Sequence, residues 1–217
     1  MTVDTQYTLF IGTRNYSSWS LRPWLAMKMA DIHFTEIVIP LRQPDTREKI
    51  LEHSPSGKVP LLVIERQNTK ELVWDSFAIC ETLAERLPAA QLWPEGAVAR
   101  AFARSIAAEM HSGFAELRAA LPMEIIARKR PAPLADAVHR QVNRIHDIWY
   151  QALKLHGGRD GFLFGRFSIA DAFYAPVVTR FVTHGISLPP LLQEYSQRIL
   201  ALPAMQQWAA ATQSESR

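Results

Sequence analysis

Strand patterns are confined to the first third of the chain, and this confinement constrains the fold more than any other feature of the sequence. Short β-branched and apolar runs, each closed by turn residues, predict four strands before residue 75. Helical patterns separate them and follow the last one, which gives the order β-α-β-α-β-β-α. The predicted strands are 7–11, 33–40, 59–65 and 72–74, and the predicted helices are 20–30, 45–53 and 77–87.

After Trp93-Pro94 the pattern is helical only. Apolar residues recur at helical spacing in five segments, of which Ala97 to Leu121 is the first. The other four segments are 134–156, 168–184, 191–200 and 204–212. This change predicts a boundary near residues 88–96, with a mixed α/β domain before it and an all-α domain after it.

Composition narrows the class of function. The chain has 217 residues, with 24 Lys and Arg against 21 Asp and Glu, and this small basic excess forms no long cluster. Nucleic-acid binding is therefore not expected. The single cysteine, Cys80, excludes an internal disulfide framework, a CxxC redox pair and a multi-cysteine zinc site. The seven histidines form no ligand set either, so no metal is expected.

The sequence contains no apolar segment long enough to cross a membrane, and residues 1–7 lack the basic and apolar regions of a signal peptide. A reduced compartment is the default for a chain with this cysteine content. We therefore expect a cytoplasmic protein without membrane partners.

Three serines lie between the first predicted strand and the first predicted helix. Ser17, Ser18 and Ser20 exceed what capping of the helix needs, and a hydroxyl beside a helix N-terminus also stabilises an anion. Pro23 favours a helix that begins at Ser20, because an earlier start would cost a helical hydrogen bond. On this interpretation Ser17 and Ser18 lie in the loop.

Two further positions have both a structural and a functional interpretation. Val59-Pro60 is either an ordinary strand entry or a cis bond that presents the Val59 backbone to an extended ligand. Asp75-Ser76, between a strand and a helix, is either a plain N-cap or an anchor for an amino-acid-like group. In the second case Asp75 meets an ammonium, and Ser76 with its backbone N–H meets a carboxylate.

Taken together and in this order, these motifs resemble the glutathione transferase family. The run Ser17-Ser18-Trp19-Ser20-Leu21-Arg22 is similar to the zeta-class pattern Ser-Ser-Cys-Ser-x-Arg, with Trp19 in place of the cysteine. Gly161-Phe-Leu-Phe-Gly165-Arg-Phe-Ser168-Ile-Ala-Asp171 looks like the capping-box segment of the family. The resemblance implies a thioredoxin-like, glutathione-binding domain in residues 1–88 and an all-helical domain in residues 96–217.

The resemblance also implies how glutathione, the co-substrate, is held. Ser17 donates a hydrogen bond to the glutathione thiolate and lowers the pKa of the thiol, with Ser18 as the runner-up and Tyr16 as a third candidate. The Val59 backbone pairs with the cysteinyl unit, and Asp75 and Ser76 hold the γ-glutamyl end. Lys58 is the candidate for the glycyl carboxylate, or else a solvated turn lysine.

The electrophile lies between the domains. Met110, His111 and Phe114 are its candidate wall residues, although Met110 and Phe114 also fit a plain core. Arg22 either adds positive potential or braces the domains. Arg180 either meets an acidic substrate or is a surface charge.

Three functions remain open at this point. The first is conjugation of glutathione to a small electrophile, the role of a detoxifying transferase. The second is glutathione-dependent cis-trans isomerisation of a maleyl-type acid, which the serine loop (residues 17–20) favours and Trp19 weakens. The third is a non-enzymatic binding module. The family resemblance also implies a homodimer.

Overall fold

The amino-terminal half contains a four-stranded sheet. The computed structural model describes residues 5–215, and the strand order is β2-β1-β3-β4. The strands are β1 (Thr5–Gly12), β2 (Thr35–Ile39), β3 (Leu61–Arg66) and β4 (Thr69–Trp74). β1 is parallel to β2 and antiparallel to β3, and β4 is antiparallel to β3. All four predicted strands are present.

Helices cover both faces of the sheet, because its central strands are apolar on both sides. The helices of this half are α1 (Ser18–Met29), α2 (Thr46–Leu51) and α3 (Ser76–Arg86). Leu9 and Ile11 of β1 belong to the main core together with residues of α1 and α3. Phe10 faces the opposite side and packs with Ile50 of α2. The result is the thioredoxin-like arrangement that the family resemblance implies.

The second half is helical. After a 3-10 turn at Pro88–Ala90 come α4 (Ala97–Ser112), α5 (Ala115–Ala120), α6 (Asp136–His156), α7 (Ile169–His184), α8 (Pro190–Ala201) and α9 (Pro203–Glu215). The predicted fold class, α/β followed by all-α, is confirmed. No helix within residues 5–215 combines the length and the apolarity that crossing a membrane requires.

The predicted helix from Ala97 to Leu121 is wrong, because the chain breaks at Gly113-Phe114 into α4 and α5. Phe114 adopts a left-handed backbone conformation, with φ of 62°. The Arg118 guanidinium donates to the carbonyl oxygens of Met110, His111 and Gly113, which stabilises the end of α4. The Arg118 side chain thus takes the place of the backbone N–H donors that a continuous helix would supply to these carbonyls. A pattern of apolar residues does not reveal such a contact.

The predicted start of α1 at Ser20 is also wrong. The helix begins at Ser18, and Ser17 is its N-cap, with its side chain accepting the Ser20 N–H at 3.4 Å. Pro23 therefore lies inside the helix, where its ring nitrogen cannot donate to the Trp19 carbonyl. Burial of almost the whole helix, including Leu21 and Trp24, supplies the compensating stability.

The two halves share one hydrophobic core. A single cluster of buried side chains runs from Leu9 in β1 to Trp208 in α9. α1 packs against both α7 and α9, and the Trp24 and Trp208 rings meet at 4.9 Å. The capping box predicted at Ser168 and Asp171 is present and opens α7. The position of α7 against α1 is what brings helical-domain side chains to the serine loop.

Candidate active site

A cleft of about 590 Å³ opens beside the first turn of α1. It is lined by Trp19, Ile50, Ser56, Gly57, Lys58, Val59, Pro60, Trp74, Asp75 and Ser76. The fold therefore brings together four sequence-predicted residues, namely Lys58, Val59, Asp75 and Ser76. The walls come from Trp19 of α1, Ile50 of α2, the turn before β3 and the junction between β4 and α3.

The turn before β3 presents backbone groups to this cleft. The Val59-Pro60 bond is cis, one of the two geometries that the sequence allows. Gly57 has φ of 64°, and the Lys58 N–H donates to the Ser56 hydroxyl at 3.2 Å. Within residues 5–215, the Val59 N–H and C=O form no hydrogen bond, so both remain available to a ligand.

Asp75 and Ser76 occupy the entry to α3. Asp75 is the N-cap residue, and its Oδ1 accepts the Phe77 N–H at 2.8 Å. Its Oδ2 lies 3.4 Å from His111 Nε2. Ser76 is 1% exposed, and its hydroxyl has no hydrogen-bond partner in the described part of the chain. Asp75 thus serves the plain capping role, whereas the Ser76 hydroxyl has no structural task.

The three serines of the loop differ in their hydrogen bonds. The Ser17 hydroxyl donates to Ser20 Oγ at 2.7 Å, and Ser20 Oγ accepts the Gly12 N–H at 3.1 Å. Ser18 Oγ accepts from Arg180 Nη2 at 3.2 Å and donates to no described residue. Both Ser17 and Ser18 are 4% exposed, and the cleft is lined by their neighbour Trp19.

Three arginines surround Trp19 and the serine loop. The Arg22 guanidinium is fully buried, 4.4 Å from the Trp19 ring centre and 4.6 Å from that of Phe173 in α7. Arg118 lies 4.8 Å from the same Trp19 ring. Arg180 is 6% exposed, so it is not the surface charge that the sequence left open. None of the three arginines pairs with a carboxylate of residues 5–215.

Burial lowers the pKa of all three guanidinium groups. Desolvation, with the nearby Arg118, lowers the pKa of Arg22 to about 9. Desolvation and Arg118 lower the pKa of Arg180 to about 10. Arg22 and Arg180 therefore stay protonated at neutral pH, and they maintain a positive potential at the N-terminus of α1.

The predicted wall residues of the electrophile site separate into two groups. Met110 and Phe114 are 1% and 7% exposed and belong to the main core. His111 is half-buried at the edge of the cleft, with its ring 5.2 Å from the Trp19 ring and its Nε2 beside Asp75. Burial lowers the pKa of His111, and Arg22 and Arg118 lower it further against the opposing effect of Asp75.

Two features of the site escaped the sequence interpretation. Arg118 has no motif around it, and only its tertiary contacts place it against Trp19. The apolar run around Cys80 gives no sign that the thiol lies near Arg22. Burial raises the pKa of this thiol far above the usual range.

The other predicted residue of the loop, Tyr16, stacks under Arg42, whose guanidinium carbon is 3.8 Å from the ring centre. No group of three or more His, Cys, Asp or Glu side chains in residues 5–215 could hold a metal ion.

Comparison with known sequences adds an independent line of evidence. The family model "Glutathione S-transferase, N-terminal domain" matches residues 16–86, which include the serine loop, the Val59-Pro60 turn and Asp75-Ser76. The chain is 30% identical over 121 residues to a probable maleylacetoacetate isomerase of Caenorhabditis elegans. That alignment covers 56% of this chain and 54% of the relative, so the match spans about half the length of the curated protein.

Solved structures extend the likeness to the helical half. A glutathione transferase homolog from Burkholderia gl BGR1, with bound glutathione, superposes with a TM-score of 0.69 at 24% identity and covers 96% of this chain and 98% of its own. A maleylacetoacetate isomerase from Anaeromyxobacter dehalogenans 2CP-1, also with bound GSH, has a TM-score of 0.69 at 20% identity and covers 95% of both chains. The fold is thus shared with these proteins over nearly the whole molecule, and residues 16–86 also match the glutathione S-transferase N-terminal domain in sequence.

Proposed function

We propose that this protein is a glutathione transferase that adds the glutathione thiolate to an electrophilic small molecule. The observation that carries this proposal is the buried Ser76 hydroxyl, which lines the cleft without a partner in residues 5–215. A buried hydroxyl without a partner costs about 1–3 kcal/mol, so a ligand that pairs with it recovers that energy. The unpaired backbone of Val59 lines the same cleft.

The cleft residues suit the successive parts of glutathione. Asp75 Oδ2, which lies beside His111 Nε2, suits the γ-glutamyl ammonium, and Ser76 with its N–H suits the neighbouring carboxylate. The Val59 N–H and C=O suit the cysteinyl unit. Lys58 is exposed and lines the same cleft, and its ammonium suits the glycyl carboxylate.

Ser18 and Ser17 remain the proposed donors to the thiolate, and the hydrogen bonds favour Ser18. The Ser17 proton is engaged by Ser20, whereas the Ser18 proton has no described acceptor. Ser18 is also the first residue of α1, where the helix dipole favours negative charge. The hydroxyl need not ionise, because donation of a hydrogen bond to sulfur suffices to lower the pKa of the thiol.

On the electrophile side we propose Trp19 and His111 as contacts at the cleft edge. Met110 and Phe114 stay predictions as wall residues, and both are buried in the main core. Isomerisation of a maleyl-type acid is the second candidate, because Arg22, Arg118 and Arg180 lack carboxylate partners in residues 5–215 and one relative is named a probable maleylacetoacetate isomerase. Assay of maleylacetoacetate turnover distinguishes the two reactions.

We further propose a cytoplasmic homodimer with a detoxifying role, divided into domains at residues 1–88 and 96–217. The match of residues 16–86 to the glutathione S-transferase N-terminal domain supports these expectations. Light scattering coupled to size exclusion tests the dimer, since a mass near that of one 24.6 kDa chain contradicts it.

Calorimetric titration with glutathione, followed by an assay with a chloronitroaromatic electrophile, tests the main proposal. We expect the wild type to bind glutathione and to form the conjugate. Ser18→Ala should keep the binding and lose about a hundredfold in kcat, as removal of one oxyanion donor does in other enzymes. Ser105→Ala, on the exposed face of α4, is the control. No binding by the wild type would reject transferase activity and leave the binding-module alternative.

A further inference from the structure

Arg180 reaches from the helical half into the serine loop. Its Nη2 donates to Ser18 Oγ at 3.2 Å, across 162 positions of sequence. Its Nη1 donates to the carbonyl oxygens of Leu121 at 2.5 Å and Arg118 at 3.3 Å. The two carbonyls hold one side of the guanidinium, so the other side has a fixed position against Ser18.

This contact decides which way the Ser18 hydroxyl points. An oxygen that accepts from a guanidinium has one lone pair occupied, and its hydrogen turns away from the cation. The described residues supply no acceptor for that hydrogen. The hydroxyl is therefore oriented in advance as a donor, and the cation behind it makes the O–H a stronger donor.

We propose that Arg180 is a positioning residue for thiolate formation, acting through Ser18: it fixes the hydroxyl as a donor to the glutathione sulfur. This inference rests on the proposed function and concerns a residue of the helical half. The thiol proton leaves to solvent, and neither Ser18 nor Arg180 changes protonation state. The neighbouring Arg22 and Arg118 add positive potential, but neither has a described hydrogen bond to a loop serine.

The test is the pKa of the thiol of bound glutathione, measured from the thiolate ultraviolet absorbance as a function of pH. In Arg180→Met we expect glutathione binding to persist and the pKa of the bound thiol to rise by about one unit, a tenfold loss of thiolate below that pKa. The pH profile of kcat/KM should shift upward by the same amount and recover its plateau at high pH. A merely structural role lowers the plateau without moving the profile.

A matched control and a double-mutant cycle complete the design. Arg128 also donates to two backbone carbonyls, those of Ile125 and Ala127 between α5 and α6, but it has no described contact with Ser18, so Arg128→Met should leave the thiol pKa unchanged. In a Ser18→Ala background, Arg180→Met should raise the thiol pKa far less than in the wild type. An equal rise in both backgrounds overturns the inference, because Arg180 would then act by charge alone.

A charge-conserving variant keeps the inference testable if Arg180→Met does not fold. Arg180→Lys keeps the charge, but a single ammonium lacks the two-sided guanidinium that contacts Leu121 and Ser18 together. We therefore expect the pKa of the bound thiol to rise by about half a unit. Wild-type binding of glutathione with an unchanged thiol pKa in both Arg180 variants overturns this inference alone. Absence of glutathione binding by the wild type overturns the proposed function and the inference with it.

Discussion

At the scale of single residues, removal of the Ser76 hydroxyl should have opposite effects on the stability of the protein and on its affinity for glutathione. It is 1% exposed and unpartnered in residues 5–215, so Ser76→Ala removes a buried group whose hydrogen-bonding capacity is unmet. We expect the variant to be as stable as the wild type or about 1 kcal/mol more stable without glutathione. Its affinity for glutathione should fall about tenfold, because the ligand loses the same hydroxyl.

Thermal denaturation and calorimetry on Ser76→Ala check both signs. Ser105→Ala should change neither quantity, since its hydroxyl bonds only to the Ala101 carbonyl on the surface of α4. A destabilised variant with unchanged affinity would assign Ser76 a structural role instead.

We expect His111 to make glutathione binding depend on pH. Its pKa is lowered, chiefly by burial, so the ring is neutral at neutral pH and becomes charged only under acidic conditions. The cation then pairs with Asp75 Oδ2, 3.4 Å away, and competes with the ligand ammonium. The dissociation constant should therefore rise as the pH falls from about 7.5 to about 5.

Calorimetry at both pH values tests this competition. In His111→Gln the rise should be two- to fivefold smaller, which is roughly the effect of one partly exposed ion pair. His139→Gln, on the exposed face of α6, should behave as the wild type. Identical pH dependence in all three proteins contradicts the competition.

At the scale of elements, the start of α7 depends on one carboxylate. Asp171 accepts hydrogen bonds from the Ser168 N–H at 2.9 Å, the Ser168 hydroxyl at 3.0 Å and the Leu163 N–H at 3.1 Å. Asp171→Ala leaves these buried donors unpaired, so it should lower the free energy of unfolding by at least about 2 kcal/mol.

Denaturant unfolding measures this loss. Asp136→Ala, at the exposed first turn of α6, removes an acidic residue from a comparable position, and its effect should stay within about 0.5 kcal/mol. Equal unfolding midpoints for Asp171→Ala and the wild type would show that the capping box contributes nothing to stability.

The elements also show what the sequence predicts and where prediction ends. The order of strands and helices through Arg86 follows from local periodicity, and the Ser168 capping box follows from residue spacing. The break at Phe114 does not follow, because it depends on Arg118 contacts that only the folded chain creates. The early start of α1 does not follow from local sequence either, because burial of the helix in the folded chain outweighs the cost of Pro23.

In the candidate site, too, local motifs are predictable from the sequence and long-range contacts are not. Val59, Asp75 and Ser76 are recognisable because each belongs to a short motif next to a strand, and the cleft brings them together. The bond between Arg180 and Ser18 joins residues from opposite halves of the chain, so no local pattern predicts it. Met110 and Phe114 have helical spacing that fits a wall and a core equally, and the structure buries both.

At the scale of the whole molecule, the shared core makes the two halves one cooperative unit. The cluster of buried residues is continuous from β1 to α9, and α1 packs directly on α7. We therefore expect calorimetry to show a single unfolding transition with equal calorimetric and van't Hoff enthalpies. Two resolved transitions would contradict this prediction and would indicate halves that unfold separately.

The contact between Arg180 and Ser18 has a consequence for how such proteins diversify. The hydroxyl comes from one half of the gene and the cation that orients it comes from the other. Recombination between relatives at the predicted boundary near residues 88–96 would therefore exchange the two separately. A chimera that receives a helical half without an equivalent arginine would inherit a complete glutathione cleft and lose much of the activation of the thiol.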